Sequence, residues 1–202
     1  MLAAVILAAG ESRRMGKPKA LLSLQGRTFV ERLIEATRHP RVGITRVVLG
    51  ADADGIRAKL PAMEPASIVV NPDWRMGQLS SIHAAIRSLP AVAGPSTEKT
   101  EGLILCPVDH PLISANLIAQ LIGEFDSSGK QIILPAYRGR HGHPVIFRAT
   151  LYEELLAASP EIGARQVVWA HAKDVEEVPT KEEAVILNLN DPETLHQAAQ
   201  KL

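Results

Sequence analysis

Short, unbroken apolar runs bounded by Gly, Pro or Asn recur along the chain at residues 3–7, 45–49, 67–70, 103–106 and 132–134. A strand with one wet face would alternate apolar and polar side chains, so these runs predict strands covered on both faces. The stretches between them have helical spacing. The clearest, 28–37, opens with Thr28 and Glu31 in the Thr-x-x-Glu arrangement of a capping box and puts Phe29, Leu33 and Ile34 on one face. Two further helices are predicted over about 77–89 and 114–125. Strands alternating with helices predict an α/β protein whose mostly parallel sheet lies between helical layers. Ligands of such sheets bind beyond the carboxyl ends of the strands, so the residues that follow each strand are where function is sought.

The last third is less regular. Residues 145–147 and 175–178 predict two more strands, with a helix over 150–158 and another starting near Gly163. Residues 184–187 predict a last strand, and Asp191 with Pro192 the cap and first position of a closing helix. The segment 90–101, PAVAGPSTEKTE, is polar and aperiodic and predicts a solvated loop. There is no internal repeat and no low-complexity tract.

Composition narrows the function classes. A chain of 202 residues that is 46% hydrophobic can bury one substantial core, which predicts a single domain over 1–202. Lys plus Arg (22) balance Asp plus Glu (22), so no basic field would recruit nucleic acid, and a small ligand is expected instead. Cys106 is the only cysteine, which rules out an internal disulfide and a thiolate metal cage and makes a cytoplasmic location the expectation. The apolar start runs directly into Glu11, Arg13 and Arg14, so it reads as a buried strand and not as a signal peptide or membrane span.

Five segments carry candidate chemistry. The first, LAAGESRRMGKPKALL (7–22), follows the first strand; Leu7, Ala8, Ala9 and Gly10 leave main-chain N–H groups open to a base or phosphate, while Arg13, Arg14, Lys17 and Lys19 bring positive charge that would neutralise a triphosphate. It is neither a Walker A loop nor a G-x-G-x-x-G fingerprint. The second, CPVDHP (106–111), ends a strand and holds Asp109, either a turn cap or a hard oxygen ligand suited to Mg²⁺. The third, LNLNDPETL (187–195), offers Asn188 and Asn190 as neutral oxygen ligands or as an Asn-Asp turn capping the last helix. In the fourth, NPDWRMGQLSSI (71–82), Asn71, Gly77, Ser80 and Ser81 bring polar groups to a helix N-terminus, and Trp74 reads as packing. The fifth, RGRHGHPVIF (138–147), contains His141 and His143, too few nearby ligands for a transition-metal site. Cys106, beside Asp109, reads as a buried strand cysteine.

These segments resemble, in order, the motifs of MobA-like nucleotidyltransferases. The opening loop is similar to their L-A-[AG]-G-x-S-x-R-M-G-x-x-K, with Gly10, Ser12, Arg14, Met15, Gly16 and Lys19 on the fixed positions; CPVDHP resembles their P-x-D-x-P. Within the family the chain is most similar to molybdenum cofactor cytidylyltransferases. The resemblance spans 2 to about 195 and implies a three-layer α/β/α, Rossmann-like nucleotidyltransferase fold. It implies transfer of CMP from CTP to the phosphate of molybdopterin or its molybdenum form, with Mg²⁺ on Asp109 and Asn190, phosphate charge met by Arg14 and Lys19, and a molybdoenzyme as recipient of the product. The nucleotide would lie on residues 7–10, Asn71, Gly77, Ser80 and Ser81. The acceptor would lie over roughly 136–180, at His143 and at Arg165 of the family-like Gly-Ala-Arg segment. Asn188 and Asn190 depart from the aspartates common there. Ala9 decides the preference for CTP, because the guanosine branch tends to glycine at this position. A guanylyltransferase, a sugar-phosphate nucleotidyltransferase and a non-catalytic insertion chaperone for a xanthine dehydrogenase-type enzyme are the alternatives.

Overall fold

The computed structural model describes residues 1–60, 67–90 and 99–200. In chain order it contains β1 (Leu2–Ala8), β2 (Ser23–Leu24), β3 (Arg27–Thr28), α1 (Phe29–Ala36), β4 (Val42–Leu49), α2 (Ala53–Arg57), β5 (Ile68–Val70), α3 (Gln78–Arg87), β6 (Gly102–Pro107), α4 (Ala115–Ser127), β7 (Ile132–Tyr137), β8 (Arg140–His141), β9 (Val145–Arg148), α5 (Tyr152–Ala157), α6 (Arg165–Ala170), β10 (Val175–Pro179) and α7 (Pro192–Gln200). The main sheet runs β10-β7-β9-β6-β1-β4-β5, and β8 pairs with β7. Neighbours are parallel except at β9, which is antiparallel to both β6 and β7, and at β8. Most of the surface loop expected over 90–101 lies outside the described residues.

The unbroken apolar run of β1 has a direct structural cause. Leu2, Ile6 and Ala8 pack into one core with Phe29 and Leu33 of α1 and Leu117 and Leu121 of α4, while Ala3, Val5 and Leu7 enter a second core with Leu79 and Ile82 of α3 and Leu155 of α5. Alternate residues therefore reach opposite helical layers, and neither face meets water.

Helix α1 begins where its capping box predicts: the Thr28 hydroxyl accepts the Glu31 N–H at 3.2 Å and the Glu31 carboxylate accepts the Thr28 N–H at 2.7 Å. Thr28→Ala is expected to cost about 1 kcal/mol of stability, read as a shifted urea midpoint at unchanged slope. Asp191 caps α7 as expected, accepting the Thr194 N–H at 2.9 Å.

The strand predicted at 184–187 is not formed. Glu183–Val185 is instead a 3-10 turn, continued by the Ile186 and Leu187 N–H groups bonding to Glu183 and Ala184 carbonyls at 3.0 and 3.3 Å. Local bonds satisfy this backbone, and the apolar pattern arises because Val185 and Leu189 plug the core with no exposure. No helix among the described residues is long and apolar enough to cross a membrane.

Candidate active site

Beyond the carboxyl ends of β1 and β6 lies a cleft of about 450 Å³ lined by the opening loop, by the turn before α3 and by Pro107 to Asp109. The loop reverses at Ser12, which has φ 56°, and its hydroxyl accepts the Lys19 N–H at 3.0 Å. That bond carries the chain back so that the Lys19 ammonium stands 3.5 Å from Asp109 Oδ2 and donates to Asn190 Oδ1. A Cβ on Gly10 would meet nothing within 4 Å, so this position faces open cleft space that a ligand can fill.

Asp109 is held by main-chain bonds, independent of its carboxylate. The Val108 N–H donates to the Leu7 carbonyl at 3.0 Å, tying the ends of β6 and β1 together, and the Asp109 carbonyl accepts the Leu189 N–H at 2.8 Å. This second bond draws the 188–190 segment, remote in sequence, onto the site. Asp109 and Asn190 thus both turn an oxygen toward the Lys19 ammonium, with Asn188 lining an adjoining pocket that Asp109 shares. Among the described residues no three His, Cys, Asp or Glu side chains gather around a common centre. The donor set is therefore hard, sparse and oxygen-based, which fits a Mg²⁺-like cation that keeps water and phosphate oxygens in its shell.

The predicted nucleotide residues divide. Leu7, Ala9, Gly10, Lys19, Gly77 and Ser81 line the cleft. Ala8 turns into the core on the other face of the sheet, as the pleat of β1 requires. Asn71 is buried and donates to the hydroxyls of Ser80 and Ser81 at 2.8 and 3.0 Å; Ser80 in turn donates to the Asp73 and Gly77 carbonyls. Asn71 and Ser80 brace the wall from behind. Of the adjacent arginines, Arg13 lines the cleft, paired with Glu11, whereas Arg14 is exposed outside it. The Asp191 carboxyl is held below its ordinary value, first by the Thr194 N–H and more weakly by the nearby charge of Arg14.

Other contributors escaped the sequence reading. Trp74 lines the cleft with Arg75 stacked 4.4 Å from its ring, and Gln78 joins them at the start of α3. Gly50, just after β4, allows the Trp74 ring to approach: a Cβ there would come within 2.5 Å of Trp74 and 2.7 Å of the Ala9 carbonyl oxygen. A strand-end glycine was the available signal.

A second cavity of about 510 Å³ opens beside the cleft, floored by Leu105, Leu134, Val145 and Phe147 and closed by Gly163, Ala164, Arg165 and Trp169. His143 lines it, and its ring centroid is 4.9 Å from that of buried His110, next to Asp109. Burial, helped by His110 and opposed by Asp109, pushes His143 down to about 4, so the ring is neutral at pH 7. Its Nδ1 has no partner among the described groups. His141 is exposed and bonds Glu177 at 2.7 Å. Cys106 is buried and its thiol is pushed up to about 12, which removes it from nucleophilic chemistry at neutral pH.

A sequence model described as the MobA-like NTP transferase domain matches residues 4–175. The chain belongs to this family. It is 33% identical to a molybdenum cofactor guanylyltransferase of Rhizobium meliloti, with 96% of this chain and 89% of that protein covered. It is also 34% identical to a nicotine blue oxidoreductase of Paenarthrobacter nicotinovorans, over 80% of this chain and 78% of that one. A Mycobacterium tuberculosis protein superposes with a TM-score of 0.80 at 23% identity, covering 98% of this chain and 97% of its own. A structure of the M. tuberculosis protein in complex with manganese gives 0.77 at 22% identity, covering 100% of this chain and 99% of its own. The fold is thus the α/β nucleotidyltransferase fold, and the MobA-like chain is a nucleotidyltransferase. Its donor and acceptor have to be argued from the site, since the chain is similar to proteins with differently named activities.

Proposed function

We propose that this chain transfers the nucleotidyl group of a nucleoside triphosphate to the phosphate of a molybdopterin-type acceptor. The observation that carries the reading is the meeting of Lys19, Asp109 and Asn190 at one point of a cleft that adjoins a second, largely apolar cavity. An oxygen of the acceptor phosphate forms a bond to the α-phosphorus while the bond from that phosphorus to the bridging oxygen breaks, and pyrophosphate leaves with the electron pair. The nucleophile is already ionised, so the site has to position and neutralise, and no strong base is needed.

Asp109 and Asn190 would hold Mg²⁺, which when bound supplies charge neutralisation to phosphate oxygens. Lys19 meets the charge that builds toward pyrophosphate, and Arg13 faces the same space; Arg14, outside the wall, adds only longer-range attraction. Neutral His143 and Arg165 offer hydrogen bonds and charge to the acceptor, and Trp169 offers a planar face for a pterin. The nucleotide half and an acceptor half over about 136–180 belong to one domain in this reading.

The relatives named guanylyltransferases extend along nearly the whole chain, which favours GTP as donor. A specific observation favours CTP as the second reading: Ala9, with its methyl group, lines the cleft where glycine would leave more room. Pyrophosphate release with GTP, CTP and UTP, in the presence of Mg²⁺ and molybdopterin, decides between them. The expected result is turnover with GTP at least about tenfold above the others. If CTP is preferred, Ala9→Gly should move the preference toward GTP. Binding without turnover for all three would replace the enzyme reading by that of an insertion chaperone.

A further inference from the structure

Three cavities meet at one residue. The nucleotide cleft, the second cavity and a pocket of about 350 Å³ between Asp109, His110, Arg140 and Asn188 all have Gln78 in their walls. Among the described residues it alone lines all three. Pro107 and Asp109 join the cleft to the smaller pocket, and His141, Gly142 and His143 join that pocket to the second cavity, but none of these reaches across all of them.

The position of Gln78 is fixed by its neighbours. It opens α3 directly after Gly77, whose φ of 97° turns the chain into the helix. The buried Asn71 amide holds Ser80 and Ser81, and the Ser80 hydroxyl holds the Gly77 carbonyl at 2.8 Å, so the first turn is anchored from below. The side chain of Gln78 itself is exposed and makes no hydrogen bond to a described group.

We infer that Gln78 bridges the two substrates, its side-chain NH2 donating one N–H to an α-phosphate oxygen and the other to an oxygen of the acceptor phosphate. This rests on the nucleotidyl-transfer reading and adds a residue to it. Two phosphates that must come within bonding distance repel each other, and a neutral group with two donors on one nitrogen holds both without giving up a proton. Its neutrality also keeps it from competing with Lys19 for Asp109, as an ammonium there would. A carboxylate of the same shape would repel both phosphates.

Gln78→Leu, Gln78→Glu and Gln78→Asn test the assignment, assayed with molybdopterin, Mg²⁺ and whichever triphosphate the wild type uses. Gln78→Leu is expected to lower kcat by a factor on the order of 10–100, with Gln78→Glu lower still and Gln78→Asn between Leu and wild type. The dissociation constant for the triphosphate, measured calorimetrically without acceptor, should change far less than kcat, and melting temperatures should stay near that of the wild type. A kcat within about twofold of wild type for Gln78→Leu overturns the bridge. So does a loss of triphosphate affinity as large as the loss of kcat, which would make Gln78 part of the nucleotide wall alone. If the wild type transfers no nucleotide to molybdopterin, the functional reading falls and the bridge falls with it; an active wild type with indifferent variants removes only the bridge.

Discussion

Asp109→Ala is expected to lower kcat by a factor on the order of 10³ or more while the protein stays folded. The carboxylate is the charged partner of Lys19 and one of two oxygen donors at the convergence point, whereas the residue's structural work is done by its main chain, whose carbonyl holds the Leu189 N–H. Removing the side chain therefore strips charge from the reacting centre and leaves the tie to the 188–190 segment. Asp109→Asn keeps shape and an oxygen and should retain more activity than alanine, because an amide can still ligate a hard cation without contributing charge. Steady-state rates over a range of Mg²⁺ concentrations check this, with the variant requiring more Mg²⁺ than wild type. A rate for Asp109→Ala within about tenfold of wild type, at unchanged melting temperature, would remove Asp109 from the chemistry.

Lys19→Ala is expected to give the second large effect, a loss in kcat/KM on the order of 10²–10³. Lys19 is mostly buried, so its charge acts on the cleft with little screening by solvent. A triphosphate is anionic before reaction and gains charge on its leaving group during it, so both KM and kcat should respond, in contrast to the kcat-dominated defect expected at Gln78. Lys19→Arg should restore only part of the loss: the guanidinium is planar and larger than the point-like ammonium that reaches both Asp109 and Asn190. Arg14→Ala, by contrast, should do less than Lys19→Ala, since Arg14 stands outside the cleft wall.

Local pattern was sufficient wherever a residue's role depends on near neighbours in sequence. The Thr28–Glu31 box, the Asp191 cap and the doubly buried run of β1 were legible because capping geometry spans three residues and strand burial shows as unbroken apolar character. The opening loop and Asp109 were legible as strand-end segments, and their juxtaposition follows from β1 and β6 being paired in parallel, so that their carboxyl ends emerge together. The same local logic failed at 184–187, where an apolar run that plugs the core has the composition of a strand but bonds to itself in a turn.

What the chain order could not express is distance between segments far apart. Arg13 and Arg14 are adjacent in sequence, yet only Arg13 belongs to the cleft wall after the turn that reverses at Ser12. Asn71 and Ser80 have the chemistry of ligand contacts, but the burial of Asn71 commits them to bracing the wall. Trp74 and Gly50 become a matched pair only when β4 and the turn before α3 pack together, and Gln78 gains its place only where three cavities converge. Residue type sets what a side chain can do. Long-range packing selects which of those capacities face the ligand, because it alone decides which surfaces remain open after the two cores have closed.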